Sequence, residues 1–172
     1  MRSVLSPEEL PEYLRGFADR VDPAGRAAAN GMSSAFDRGL KTNELIRTTG
    51  HPSAPGQPPA LETGRLRGTL RIKPAVEAGP YRWKSGNHPD TVYAHIQEYG
   101  GEIWAKHTYV DHRTGITRPG FLRWGSPGDY HYARHVRLPE RSYMRAGVKR
   151  MAGDGTLRRG AVAGFNHVLG FD

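Results

Sequence analysis

The chain contains no cysteine. Disulfides, thiolate zinc sites and thiol catalysis are excluded together by that single absence. Long hydrophobic runs are also missing. No stretch approaches the ~18 apolar residues that a bilayer span needs. The N-terminal segment MRSVLSPEEL lacks the apolar centre of a secretory signal. A soluble protein made in a cytoplasm is the expectation, with no membrane contact. Hydrophobic residues make up only 37% of the chain, beside 22 glycines and 13 prolines. That composition points to a lean core with long loops or arms, and so to a protein stabilised by assembly.

What the chain does have is positive charge. Its net charge is +8, which suits a polyanion such as nucleic acid. The cations are spread along the sequence with no block of like charge forming a tail, and no nucleic-acid reader motif is present. With 172 residues the chain reads as one domain, long enough to bury roughly 70% of its unfolded surface.

SPEELPEYLRGFADRVD opens on a capping-box pattern: Ser6 as N-cap, Pro7 at the first helical position and Glu9 at N3. Leu10, Leu14, Phe17 and Val21 then share one face, predicting a helix over 7–21. A second, imperfect helix is expected over 23–48, with Ala28, Met32, Ala35, Phe36, Leu40, Leu45 and Ile46 as its stripe. Gly25, Gly31 and Gly39 weaken it by up to ~1 kcal/mol each, and Gly50 lies near its stop. Residues 1–50 thus form a helical part. Residues 51–62, with four prolines, are a proline-rich extended loop. Residues 63–152 are expected to be a sheet-and-helix core. It opens on a helical turn at Thr63–Gly64 that carries Leu66. Two strands joined near Gly79–Pro80 follow, then a short helical turn before Gly100–Gly101. A hairpin reversal at HRTG leads to a strand over YHYARHVRLP and a helix over ERSYMRAGVKRM. Residues 153–172 are a C-terminal arm or helix. The order predicts an α+β fold, a mostly antiparallel β-sheet packed against N-terminal and C-terminal helices, with long loops.

No catalytic set emerges. His131 and His135 have the four-residue spacing of helical metal ligands. In an extended segment, however, they lie about 13 Å apart, and no third ligand has suitable spacing. His107 and His112 share that weakness. No serine sits on a nucleophile elbow. Glu98 and Glu102 straddle the paired glycines, yet glutamates beside a turn are usually solvated or paired with arginine. GRLRG at 64–68 lacks the ending of a phosphate loop. The expectation is a protein that is not an enzyme, with no catalytic residue, cofactor or metal.

Three segments in order carry a resemblance: SAPGQPPALETGRLRGTL (53–70), YAHIQEYGGEI (93–103) and RLPERSYMRAGVKRM (137–151). Together, over about residues 35–152, they resemble the tail-completion and neck proteins of tailed bacteriophages, also called virion-morphogenesis proteins and minor tail components. Pro139, Arg141, Tyr143, Met144 and Arg145 fill that family's proline, arginine, aromatic, aliphatic and arginine positions. Between Trp104 and Tyr132 the chain is longer than the family's compact hairpin. The resemblance implies a structural virion protein, a homo-oligomeric ring at the head–tail junction, hexameric by analogy. Its partners are further copies of itself, head-side connector or stopper proteins, and tail tube or terminator proteins. Double-stranded DNA passes non-specifically through the channel. Localisation is the virion, after assembly in the host cytoplasm. A tail terminator ring capping the tube is the alternative, and a basic nucleic-acid-binding protein is a more distant one.

The candidate subunit-interface residues are Tyr93, Gln97, Glu98, Tyr99, Arg141, Tyr143 and Arg145. The expectation is a rigid corner before Gly100–Gly101. There Tyr93 and Tyr99 bury their rings, and Glu98 meets Arg141 or Arg145 of its own or an adjacent subunit.

Overall fold

The structure is a computed structural model that describes residues 6–46, 53–60 and 63–171. The expected helix end at 47–48, its stop at Gly50, and residues 51–52 and 61–62 of the proline-rich loop lie outside the described residues. The fold is α+β, with helices at both ends and antiparallel strand pairs between them.

The two helices expected at the N-terminus are one. Ser6 and Glu9 exchange the reciprocal bonds of a capping box: the Ser6 N–H donates to Glu9 Oε2 (2.9 Å) and the Glu9 N–H to Ser6 Oγ (3.3 Å). These bonds hold the Glu9 carboxyl below its usual value. Regular helix α1 then runs over Leu10–Gly39 without a break at Pro23. A proline inside a helix removes one backbone bond and crowds the preceding turn, at a cost of about 3 kcal/mol. Packing across the proline offsets this. Trp83 Nε1 donates to Asp22 Oδ1 (3.0 Å) on one side of it, and on the other the Trp83 ring lies beside Gly25 with the Arg26 guanidinium 5.7 Å from its centre. After Gly39 the chain widens into a π-helical turn over Leu40–Glu44, closed by the Leu45 N–H on Leu40 O (2.8 Å).

Helix α2 (Arg65–Gly68) follows the proline-rich loop and carries buried Leu66. Strands β1 (Leu70–Gly79) and β2 (Arg82–Pro89) pair antiparallel and lie on α1. Pro74 cannot donate to a ladder, and the register shifts there between Lys73 and Val76. The Ala75 N–H is thereby released to Asn30 Oδ1 (2.7 Å) on α1. The Ser85 hydroxyl completes the seam, donating to Ala29 O and accepting from the Ser33 hydroxyl.

Next come α3 (Ala94–Tyr99), β3 (Gly101–Trp104), β4 (Thr108–Val110), β5 (Thr117–Pro119), β6 (Leu122–Ser126), β7 (Asp129–Ala133) and β8 (His135–Leu138). The strand expected over YHYARHVRLP is divided at Arg134 into β7 and β8. The sheet is divided too. Instead of one layer, the described residues form four separate two-stranded ribbons: β1–β2, β3–β8, β4–β5 and β6–β7. The ribbons β4–β5 and β6–β7 are an excursion from β3–β8, and their residues are mostly exposed.

Helix α4 (Met144–Gly153) and helix α5 (Thr156–Leu169) end the chain. The C-terminal segment is therefore a helix and not a free arm. It packs antiparallel along α1, with Gly160 beside Gly31 and Gly164 beside Ala27. The main core lies between the end of α1, α2, α3 and α4, and consists of Phe36, Leu40, Leu45, Leu66, Leu70, Ala94, Tyr143 and Met151. Arg150 ties α4 to the π-helical turn through Glu44 Oε1 (2.8 Å).

Candidate functional site

The corner expected before the paired glycines exists, and its centre is a buried carboxylate. Glu98, on the last turn of α3, is only 4% exposed. Its Oε2 accepts the backbone N–H groups of Tyr143 (2.8 Å) and Met144 (2.9 Å). Its Oε1 accepts the Ser142 hydroxyl (2.8 Å), the Arg145 N–H (3.0 Å) and Arg145 Nε (3.1 Å). Those donors are the first turn of α4, whose N–H groups have no partner within the helix. A carboxylate there also meets the positive end of the helix dipole. Burial alone, the largest single influence, would raise the Glu98 pKa. The bonds from Arg145, Met144, Tyr143 and Ser142 together outweigh it and hold the carboxyl below its ordinary value of 4.5.

Of the two arginines expected to meet Glu98, Arg145 does so, within the same chain. Its guanidinium also donates to Glu98 O and to Glu140 Oε1, both at 2.8 Å. Arg141 makes no hydrogen bond or ion pair with Glu98 among the described residues. Its N–H donates to Gln97 O (2.8 Å) and its Nε to Ser53 O (3.1 Å). The Gly56 N–H donates to Glu140 O (2.9 Å), so the proline-rich loop is fastened to the same place.

The two tyrosines differ. Tyr93 packs partly buried against the core. Tyr99, expected to bury its ring, is 55% exposed, with His95 against it and the Arg145 guanidinium 4.7 Å from its centre. Arg145 must reach back to Glu98, and in doing so covers one face of the ring and leaves the rest in solvent. Tyr143 is fully buried, so it belongs to the core and not to an exposed surface. Its hydroxyl has no partner among the described residues. Burial first, then the Glu98 charge, raises its pKa well above that of a free tyrosine. Gln97 and Tyr93 line a cavity of about 470 Å³ beside Leu45, Leu66, Arg65 and Arg67.

The turn itself needs glycine. Gly100 has φ 68° and ψ −174°, a region that only glycine enters without strain. A Cβ there would lie 2.8 Å from Glu140 N and 3.1 Å from Leu138 O. Gly100→Ala is therefore expected to destabilise the chain by about 2–3 kcal/mol, since backbone strain alone costs 1–3 kcal/mol. Chemical denaturation at constant m-value checks it.

Among the described residues the histidines form no metal-binding constellation. His131 stacks on Trp124 (5.7 Å) and His135 on Trp104 (4.6 Å). Glu102 sits opposite Arg137 across β3–β8, away from the buried end of Glu98. Among the described residues no group of three or more His, Asp or Glu could hold a metal, and no helix is long and apolar enough to cross a membrane.

Sequence reasoning missed two exposed surfaces. One is the aromatic excursion 105–134, which holds Tyr109, Phe121, Trp124, Tyr130 and Tyr132. The signal was present as aromatics interleaved with arginine. The other is the start of α1, where Leu10, Tyr13 and Leu14 are uncovered. Comparison of the chain with family models, curated proteins and solved structures finds no match to any of them.

Proposed function

We propose that the chain is a structural virion protein of a tailed bacteriophage. Copies of it form a ring at the head–tail junction, at the neck or at tail completion, and double-stranded DNA passes through the opening. The observation that carries this reading is the convergence of the three segments behind the resemblance. Residues 140–145 bond on one side to residues 53–56 and on the other to residues 97–98, segments distant from them and from each other in sequence. Leu66 and Leu70, Ala94, and Tyr143 and Met151 from the same three segments share one core. Motifs that were short and separate are thus one structural unit, as expected of a common scaffold.

Exposure supports the second half of the reading. Two-stranded ribbons are marginal in water on their own, and large uncovered apolar patches mark interaction sites. A chain that leaves this much uncovered gains stability when its copies assemble. The role is structural and involves no catalytic step. Electron-microscopy class averages and the native mass of the purified protein test it. The expected result is a closed ring, six-membered by analogy, with a central hole. A monomer at every concentration that binds DNA with strong salt dependence would favour a basic nucleic-acid-binding module instead.

A further inference from the structure

We propose that the outer face of the β1–β2 ribbon binds the phosphate backbone of double-stranded DNA. This names the surface that meets the duplex, and so rests on the ring reading for where that DNA runs.

The ladder defines the face. Residues directly opposite in an antiparallel pair share one side, and the side alternates along each strand. Trp83 and Ser85 of β2 bond to Asp22 and Ala29 of α1, and buried Ala75 of β1 bonds to Asn30 there. The alternate rungs therefore face outward: Arg71 opposite His88, Lys73 opposite Gly86, Val76 opposite Lys84, and Gly79 opposite Arg82. Each of these four rungs carries one lysine or arginine, and these are all the lysines and arginines of the two strands. The strands' one acid, Glu77, stands opposite Trp83 on the other side. Asp90 follows the ribbon, one residue past Pro89.

A solvated face ordinarily mixes both signs of charge, as the exposed Glu12, Arg15, Asp19 and Arg20 of α1 do. The ribbon face carries one sign. All four of its cations are exposed, and none makes an ion pair among the described residues. Arg71 donates to the neutral carbonyl of Gly68 (2.8 Å), which leaves its charge uncompensated.

Spacing and composition fit a duplex. The outward rungs repeat at about 7 Å and span about 20 Å, at 3.4 Å per residue. Over that length a duplex presents about twelve phosphates, one per 1.7 Å of axis, so each cation can take its own. Gly86 leaves the backbone bare in the middle of the face. Its φ lies outside the left-handed region and an added Cβ would meet nothing within 4 Å, so neither a turn nor packing calls for glycine. Glycine inside a strand weakens it, and one use of the bare backbone is close approach of a ligand. The outward rungs hold no phenylalanine, tyrosine or tryptophan, whereas protein interfaces are enriched in aromatics and depleted in lysine. Lysine and arginine on phosphates position a duplex without reading its bases.

Fluorescence anisotropy of a labelled duplex of random sequence, titrated with the full-length protein over a range of salt, tests this. Lys73→Ala and Lys84→Ala are each expected to reduce the slope of log affinity against log salt by about a quarter, because one of four phosphate contacts per copy is lost. Arg158→Ala, which removes an exposed cation from α5, is expected to leave the slope unchanged. Gly86→Glu removes no contact, and is expected to keep the melting temperature while weakening duplex binding about tenfold or more. An unchanged slope in Lys73→Ala and Lys84→Ala, or an equal fall in Arg158→Ala, would overturn the proposal and leave the ring reading standing. Loss of self-association in Gly86→Glu with duplex binding intact would overturn it by making the face a contact between copies. Polyglutamate bound as tightly as the duplex would overturn it in favour of an acidic protein partner. A wild-type chain that stays monomeric at every concentration would end the ring reading, while the expected fall in slope would still support the ribbon as the DNA-binding face.

Discussion

Replacing Glu98 by glutamine is expected to destabilise the folded chain by about 3 kcal/mol, since each buried donor left without its partner costs about 1–3 kcal/mol. The reason is geometric. Oε2 receives two backbone N–H groups, and Oε1 receives one backbone N–H, one guanidinium N–H and a hydroxyl. Glutamine keeps only one oxygen. An amide in place of Oε2 points its hydrogens at Tyr143 and Met144. Placed at Oε1, it can donate to Ser142 but opposes both bonds of Arg145. Either rotamer orphans two of the five donors. The arginine left behind adds little, because Arg145 is 52% exposed and can return to water. At this chain length the loss corresponds to a fall in Tm of roughly 6–12 °C. An unchanged Tm would show that the carboxylate is not what anchors α4.

The same substitution has a pH signature. The folded carboxyl titrates below its ordinary 4.5, so the unfolded chain binds the proton first as pH falls. The stability that Glu98 contributes is therefore fully present above about pH 5 and is lost as pH drops through the folded value. The gap between wild type and Glu98→Gln is expected to be constant from pH 7 to 5 and to narrow below 4.5. A gap that stays constant down to pH 3 would assign the loss to shape and not to charge.

How much of this corner was legible depends on the range of each interaction. The local signals were strong. Ser6 with Glu9, the helical turn carrying Leu66, the reversal near Gly79–Pro80 and the helix expected over 140–151 and found over Met144–Gly153 each rest on contacts between near neighbours in sequence. The Glu98–Arg145 pair was legible as a charge match between two motifs. The capping of α4 was not, because its acceptor comes from 45 residues away and no local pattern announces it. The continuity of α1 across 22–23 was hidden for the same reason, since Trp83, which bonds Asp22 beside Pro23, lies some 60 positions downstream. The division of the sheet into ribbons was hidden because alternation identifies a strand and not its neighbours.

The glycines of α1 show the same limit most sharply, and they carry the second large effect. By propensity alone they weaken a helix, yet in the fold Gly25 lies against Trp83, Gly39 against Met151, and Gly31 is where α5 approaches. A Cβ on Gly164 would fall against the carbonyl of Ala27, and one on Gly31 against the carbonyl of Gly160. On Gly160 it would lie 2.6 Å from Ala35 Cβ and 2.7 Å from Gly31 O. Backbone carbonyls cannot rotate aside as a side-chain end can. The helices must separate, and the burial along their whole seam is lost with them. Gly164→Val is expected to cost more than about 3 kcal/mol, the upper end of overpacking penalties, and to expose α5 to limited proteolysis. Gly16→Ala is the control. It lies on α1 with nothing within 4 Å of its added Cβ, and alanine there is expected to favour the helix by up to about 1 kcal/mol. Opposite signs for two small additions to glycine would establish close helix approach, and not helix propensity, as the reason for glycine at this seam. Equal, mild losses at both would mean that α5 does not lie on α1 through these residues.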